Sequence, residues 1–252
     1  MSDDAKGVPS TGGIIMSQAT DFHSGAYADG SYLDLTGGTW HLQDSQMKAG
    51  WIMKQLSRHP EVKINSVCEI GCGAGGILSA MQTLMPETAQ FTGYEISPQA
   101  HEMSRQFEND RCQFILGDAF ADQRQYDLVM AIDVFEHVED CFSFLRQTRE
   151  KARYQIYHVP LDVHASGILR GKNAWDSSGH IHLFTLETAL KSLEFTNHRI
   201  IDWFLTNGAA ELPNRKARTK MLNTVRYAMQ KAVSERFVAR LLGGYSVLIL
   251  AE

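Results

Sequence analysis

The sequence predicts an α/β chain built on a doubly wound, mostly parallel sheet of seven strands. Three observations predict it. Short apolar runs alternate with helical patterns from Ser66 onward, a glycine-rich turn follows the first run, and acidic residues recur where successive runs end. A chain of 252 residues is long enough for one such domain with additions and for a sizeable core.

Residues 1–30, rich in Gly, Ser, Asp and Thr, read as a flexible leader, and residues 31–252 as a single domain. From Trp40 to Leu56, the residues Trp40, Met47, Trp51, Ile52 and Leu56 recur at helical spacing. That helix is expected to end near His59-Pro60, because a proline disfavours helix in the residue before it. Ser66 to Ile70 is the first strand, followed by the glycine turn and a helix through Leu84. Gln90 to Glu95 is the second strand, after which Ser97 and Pro98 supply an N-cap and a first-turn proline. Cys112 to Leu116 and Tyr126 to Ile132 are the third and fourth strands. A helix is expected over Val138 to Glu150, then a fifth strand over Tyr154 to Val159, closed by Pro160.

The connection from Leu161 to Phe184 is long for a compact domain, which points to function or disorder. Thr185 caps the next helix. His198 to Leu205 is the sixth strand and Tyr245 to Ala251 the seventh, with a helical insertion between them at 207–242. The part from Glu211 to Leu242 carries eight basic side chains against two acidic ones, and its apolar residues Met221, Leu222, Val225, Met229, Val233 and Phe237 fall at helical spacing. The plain reading is an amphipathic cover with a solvated basic face. The sharper readings are an anionic acceptor, a membrane surface or RNA.

Composition narrows the partners. The net charge of -5 gives no reason to expect DNA. No apolar run could cross a bilayer, so no stable membrane insertion is expected, and no signal-peptide core is seen, so the expected location is cytoplasmic. Cys68, Cys72, Cys112 and Cys141 lack paired CxxC spacing and read as buried thiols.

The chemistry gathers around VCEIGCGAGGIL, Val67 to Leu78, where Gly71, Gly73 and Gly76 satisfy GxGxxG. Such a turn lets the backbone approach a nucleotide-like ligand beside an electropositive helix end. Alone it fits a dinucleotide as well, and Glu95 lies where a ribose-binding acid would stand. Glu69, two residues before the first glycine, stands where dehydrogenases place an apolar residue. Gly117-Asp118-Ala119 follows the third strand, and Asp133, Glu136 and His137 follow the fourth. All these groups fall at the carboxyl ends of strands, where open α/β sheets bind ligands.

The ordered set ExGCGxG, GYEIS, GDA and YDLVMAIDVFEHV resembles the class I S-adenosylmethionine-dependent methyltransferases. The resemblance covers Ser66 to Val138 directly, and the strand pattern carries it to the C-terminus. A looser likeness, to small-molecule methyltransferases of polysaccharide and natural-product gene clusters, rests on TWHLQDSQMKAGW, IYHVPLDVHASGILR and GHIHLFTLETAL. The resemblance implies a Rossmann-like sheet whose last strand is antiparallel. It implies S-adenosyl-L-methionine as cofactor and S-adenosyl-L-homocysteine as product. By position, Glu69, Gly71, Cys72 and Gly73 would hold the methionine part, Glu95 the ribose, and Asp118 with Ala119 the adenine amine. Ile96 would pack on the adenine face and Asp133 would approach the cofactor's amino group. Relatives also close an N-terminal segment over the site, here the region of Tyr32, Trp40 and His41.

The cofactor's sulfonium makes its methyl group electrophilic, so the protein must align a nucleophile and, for a hydroxyl or an ammonium, supply a base. Five histidines could serve: His137, His158, His164, His180 and His182. His182 and His180 lead, because two residues apart on an extended segment they share a face, and His137 is third. The plain counterpart for each is loop packing or helix capping.

The expected function is methyl transfer to an oxygen or nitrogen of a small acceptor, with glycan-related and phosphorylated acceptors both open. An alternative is a metal-dependent O-methyltransferase using Asp133, Glu136, His137 and His182 or His180. That set resembles the E-x-x-E-H pattern of some such enzymes, with Asp in place of the first Glu. An RNA methyltransferase, an NAD-dependent oxidoreductase, a non-catalytic cofactor-binding scaffold and a homodimeric assembly remain further options.

Overall fold

The computed structural model describes residues 42–171, 179–211 and 217–252. The expected leader lies outside them, as do Tyr32, Trp40 and His41. A short turn, Leu42–Asp44, leads into helix α1 (Ser45–Ser57), which buries Ser45, Ala49, Trp51, Ile52, Gln55 and Leu56 along one face.

Strand β1 (Ser66–Ile70) is followed by α2 (Gly76–Gln82), β2 (Gln90–Glu95), α3 (Pro98–Ser104), β3 (Cys112–Leu116) and β4 (Tyr126–Ile132). Ser97 caps α3 by accepting from the Ala100 N–H, with Pro98 at the first position. The helix expected to begin at Val138 begins later. The chain first makes a tight turn over Phe135–His137, and α4 (Cys141–Lys151) starts where the Asp140 carboxylate accepts from Ser143 N at 3.0 Å. Strand β5 (Ala152–Pro160) runs one residue past its expected end, and Pro160 pairs with Ser246 instead of closing the strand. Then come α5 (Ala165–Leu169), α6 (Leu186–Phe195), β6 (Ile200–Thr206), α7 (Gly208–Glu211), α8 (Ala217–Gln230), α9 (Glu235–Leu242) and β7 (Ser246–Ala251). Thr185 caps α6 in a reciprocal capping box with Thr188.

The seven strands lie in the order β3-β2-β1-β4-β5-β7-β6. β7 is antiparallel to both its neighbours, and the pairings β1–β2, β1–β4, β2–β3 and β4–β5 are parallel. This is the Rossmann-like methyltransferase sheet that the resemblance implied. The central strands are buried on both faces, which explains their near-continuous apolar runs. One core cluster joins the sheet to α1 and α2 through Ile52, Leu78, Met81, Phe91 and Met130. The other joins its opposite face to α4, α6 and α9 through Leu145, Ala189, Leu193 and Val238. All four cysteines are buried and unpaired. Among the described residues no helix is long and apolar enough to cross a membrane.

Gly76, the last glycine of the GxGxxG pattern, serves packing. A Cβ there would meet Ser45 Oγ and the Leu42 side chain, so its bareness lets α1 lie against α2.

Candidate cofactor and acceptor site

The carboxyl ends of β1, β2, β3 and β4 bring the sequence-singled residues to one end of the sheet. The turn after β1 is held down by β2: the N–H groups of Gly71 and Cys72 both donate to Tyr94 O, at 2.9 and 3.0 Å. Gly71 and Gly73 have positive φ, +69° and +54°. The Glu95 carboxylate accepts from Gly73 N and from Ser97 N, each at 2.8 Å, and so braces the turn against the start of α3. Burial raises the pKa of Glu95 against these backbone hydrogen bonds.

Glu69 is 1% exposed, and its Oε2 is buried with no partner. Burial pushes its pKa up to about 8, opposed by Lys48. Cys72 is buried under the turn, with its Sγ in the space that a Cβ on Gly93 would need, and burial pushes its thiol up.

A cavity of about 440 Å³ opens beside this turn. Gly71, Tyr94, Ile96, Asp118, Ala119 and Val134 are among its lining residues. Ile96 is 65% exposed, an apolar side chain left bare at the cavity wall. Asp118 accepts from Phe120 N at 2.9 Å through Oδ1, which fixes the turn after β3. These are the cradle and the orphaned acid that a nucleoside with a cationic amino-acid tail would fill.

Asp133 stands at φ +57°, an uncommon conformation for a non-glycine residue. Its Oδ1 accepts from His158 Nδ1 at 2.6 Å, and its Oδ2 pairs with Lys48 Nζ at 2.8 Å. His158 continues through Nε2 to Thr206 Oγ1 at 2.8 Å and stacks on Trp51. Burial disfavours the Asp133 carboxylate, but His158 and Lys48 outweigh it, and its pKa is lowered. Burial likewise disfavours the Lys48 ammonium, yet Asp133, Asp44 and Glu69 together raise its pKa.

The histidines divide. The segment that holds His180 and His182 is bent, not extended, because Ile181 N and His182 N both donate to Glu136 O, at 2.9 and 3.0 Å. The two rings therefore meet different partners. His182 donates from Nε2 to Val138 O at 2.9 Å and packs near Phe184. His180 donates from Nδ1 to Asp162 Oδ2 at 2.7 Å, and its ring meets that of His137 at 4.8 Å. His137 donates from Nδ1 to Gly179 O at 3.0 Å. His164 caps α5. Ligand-capable atoms of Glu136, His137 and His180 lie within 4.8 Å of one another. Both carboxylate oxygens of Glu136 are buried without a partner, and burial beside Asp133 raises its pKa well above the carboxylate range. Neither Asp133 nor His182 belongs to that group.

Sequence reasoning missed Lys48 and Asp162 as site residues. Lys48 had a signal: it falls one turn from Ser45 and from Ile52, on the stripe that α1 buries. Asp162 had none beyond following the fifth strand. The basic insertion is partly spent on packing. Arg226 is buried against Gly244 and Asn223, Arg236 lies over the Trp203 ring, and Arg240 pairs with Glu187. Arg215 and Lys216 lie outside the described residues.

Residues 40–200 match a family model described as a methyltransferase domain. The chain belongs to that family of S-adenosylmethionine-dependent methyltransferases. Among solved structures, the chain is similar to magnesium protoporphyrin IX methyltransferase from Synechocystis PCC 6803 with bound S-adenosylhomocysteine. Identity is 13%, covering 93% of this chain and 97% of that one, with a TM-score of 0.59. It is also similar to the plantazolicin methyltransferase in complex with a triazolic desmethyl analogue and S-adenosylhomocysteine. There identity is 12%, with 93% of each chain covered and a TM-score of 0.59. Identities this low establish a shared fold. No curated protein sequence matches the chain.

Proposed function

We propose that the chain transfers a methyl group to an oxygen or nitrogen of a small acceptor by in-line displacement. The observation that carries this reading is the cavity of about 440 Å³ beside the Gly71 turn, lined by Ile70, Tyr94, Ile96, Asp118 and Ala119, with the buried acids Glu69 and Glu95 close by at the ends of β1 and β2. When bound, S-adenosylmethionine supplies an electrophilic methyl group there. The turn from Glu69 to Gly73, Cys72 included, receives the methionine part, and Asp133 faces the amino group. Glu95 keeps lone pairs for the ribose hydroxyls, and Asp118, Ala119 and Ile96 enclose the adenine.

His180 is the favoured base. Asp162 holds its Nδ1 proton, which leaves Nε2 as the basic nitrogen, and the acceptor's proton passes to Nε2 as its oxygen or nitrogen attacks. His182 uses Nε2 to tether the backbone after Val138, so it positions the loop. The test is calorimetric titration with S-adenosylhomocysteine. Wild type binds it, and Glu95→Ala loses about tenfold or more in affinity. Unchanged affinity in that variant refutes the ribose role, and binding of NAD in its place refutes the family of chemistry.

A second reading is favoured by the partnerless Glu136 carboxylate. With His137 and His180 it forms a one-carboxylate, two-imidazole set that suits a divalent transition metal, and Asp162 and the Gly179 carbonyl orient the rings from behind. This set replaces the expected one, because Asp133 is committed to Lys48 and His158. On this reading a chelator abolishes turnover, a divalent metal restores it, and affinity for S-adenosylhomocysteine is untouched. Failure of the purified protein to take up zinc, manganese or iron refutes it.

A further inference from the structure

Three acids gather around Lys48 beside the turn assigned to the methionine part. Glu69 is buried at the end of β1, Asp133 stands after β4, and Asp44 precedes α1. Of the cations acting on Glu69 and Asp133, Lys48 acts on both, and His158 acts on Asp133. Lys48 arrives from a different element, helix α1, and its Nζ lies 2.8 Å from Asp133 Oδ2. Its side chain is only 15% exposed, whereas Asp133 keeps 30% of its side chain open.

A free methionine tail is a zwitterion. An all-acidic pocket would draw its ammonium and repel its carboxylate, and a net gain in affinity needs a cation for the second group. We propose that Lys48 binds the cofactor's α-carboxylate, and that the Lys48–Asp133 pair opens as the methionine tail arrives. The inference rests on the reading that this end of the site takes the methionine part. The incoming ammonium replaces Lys48 on Asp133, and Nζ swings on its four-carbon stem to the carboxylate. One ion pair becomes two, and no buried charge is left alone. A lysine suits such an exchange, because its flexible stem and single-point charge can change partners without the fixed fork of an arginine. In the free protein the same pair ties α1 to the end of β4, so binding also reseats α1.

The test compares S-adenosylhomocysteine with its decarboxylated counterpart, which lacks only the carboxylate, by calorimetry on wild type, Lys48→Met and Lys48→Arg. Lys48→Met leaves Asp133 paired with His158, and thermal melting without ligand checks that it folds. Wild type is expected to prefer S-adenosylhomocysteine by about ten- to a hundredfold, the range of a charge-assisted contact. Lys48→Met should lose that preference, with affinity for the decarboxylated compound retained, and Lys48→Arg should recover part of it. The proposal is overturned if Lys48→Met weakens both compounds equally or keeps the preference. Should Lys48→Met fail to fold, the wild-type comparison still decides: equal affinity for the two compounds overturns the carboxylate contact alone. Binding of neither compound to wild type brings down the cofactor reading together with this one.

Discussion

Replacing Glu69 with glutamine is expected to erase the proton exchange that accompanies cofactor binding near neutral pH. In the free protein, burial holds the Glu69 pKa at about 8. At pH 7 about nine carboxyls in ten are then protonated. A cofactor ammonium about 4 Å away contributes roughly 4 kcal/mol at an effective dielectric constant near 20, or about three pKa units. That brings the bound value to about 5, so binding at pH 7 releases about 0.9 proton. Affinity should therefore rise by up to tenfold per pH unit between about pH 5 and 8 and level off above. Calorimetry in two buffers of different ionisation enthalpy counts the proton directly. No proton release in wild type, or the same release in Glu69→Gln, refutes the assignment of Glu69 to the cofactor's cationic end. The sign for stability follows from the same shift. A carboxyl whose pKa is raised by folding lends stability below its unfolded pKa and loses it as pH rises through about 8. Without ligand, wild type should weaken relative to Glu69→Gln across that interval, and melting curves at pH 5 and pH 9 would show it.

Three further outcomes are expected. His180→Ala should lower turnover by about 10²- to 10⁴-fold with affinity for S-adenosylhomocysteine unchanged, as measured by steady-state kinetics beside calorimetry. Full activity in that variant would move the base elsewhere. His182→Ala should instead lose about 1 kcal/mol of stability in urea unfolding, because its ring tethers Val138 O, and a collapse of turnover at full stability would return the base to His182. Gly76→Ala should destabilise the fold by about 1–3 kcal/mol by pressing on Ser45 and Leu42, and an unchanged urea midpoint would refute the close packing of α1 on α2.

The sheet was legible because its residues follow short-range rules. β1 to β4 have the bounds that their apolar runs suggested, and the caps at Ser97 and Thr185 sit where side-chain chemistry puts them. The start of α4 was not legible, because Asp140 captures the first free N–H groups and the Phe135–His137 turn is held by tertiary contacts, including the Glu136 carbonyl. The glycines and acids at the strand ends could be read from spacing, since a parallel sheet collects every strand's carboxyl end in one place. The histidines could not. Whether His180 and His182 share a face depends on a bend fixed by two hydrogen bonds to Glu136 O, a residue more than forty positions away. Lys48 and Asp162 were hidden for the same reason, as each gains meaning only from a partner on another element.

The placement of β7 bears on how this architecture can diversify. β6 and β7 lie side by side, and Thr206, the last residue of one, is opposite Ser246, the first of the other. Residues 207–245 thus leave and rejoin the sheet at neighbouring points, at the end where the strands deliver their acids. A segment anchored in this way can be lengthened, shortened or exchanged without moving a strand. Grafting the corresponding segment of a relative between Thr206 and Ser246 would alter what the open end of the sheet admits, while Glu69, Glu95 and the Gly71 turn, carried on β1 and β2, stay in place.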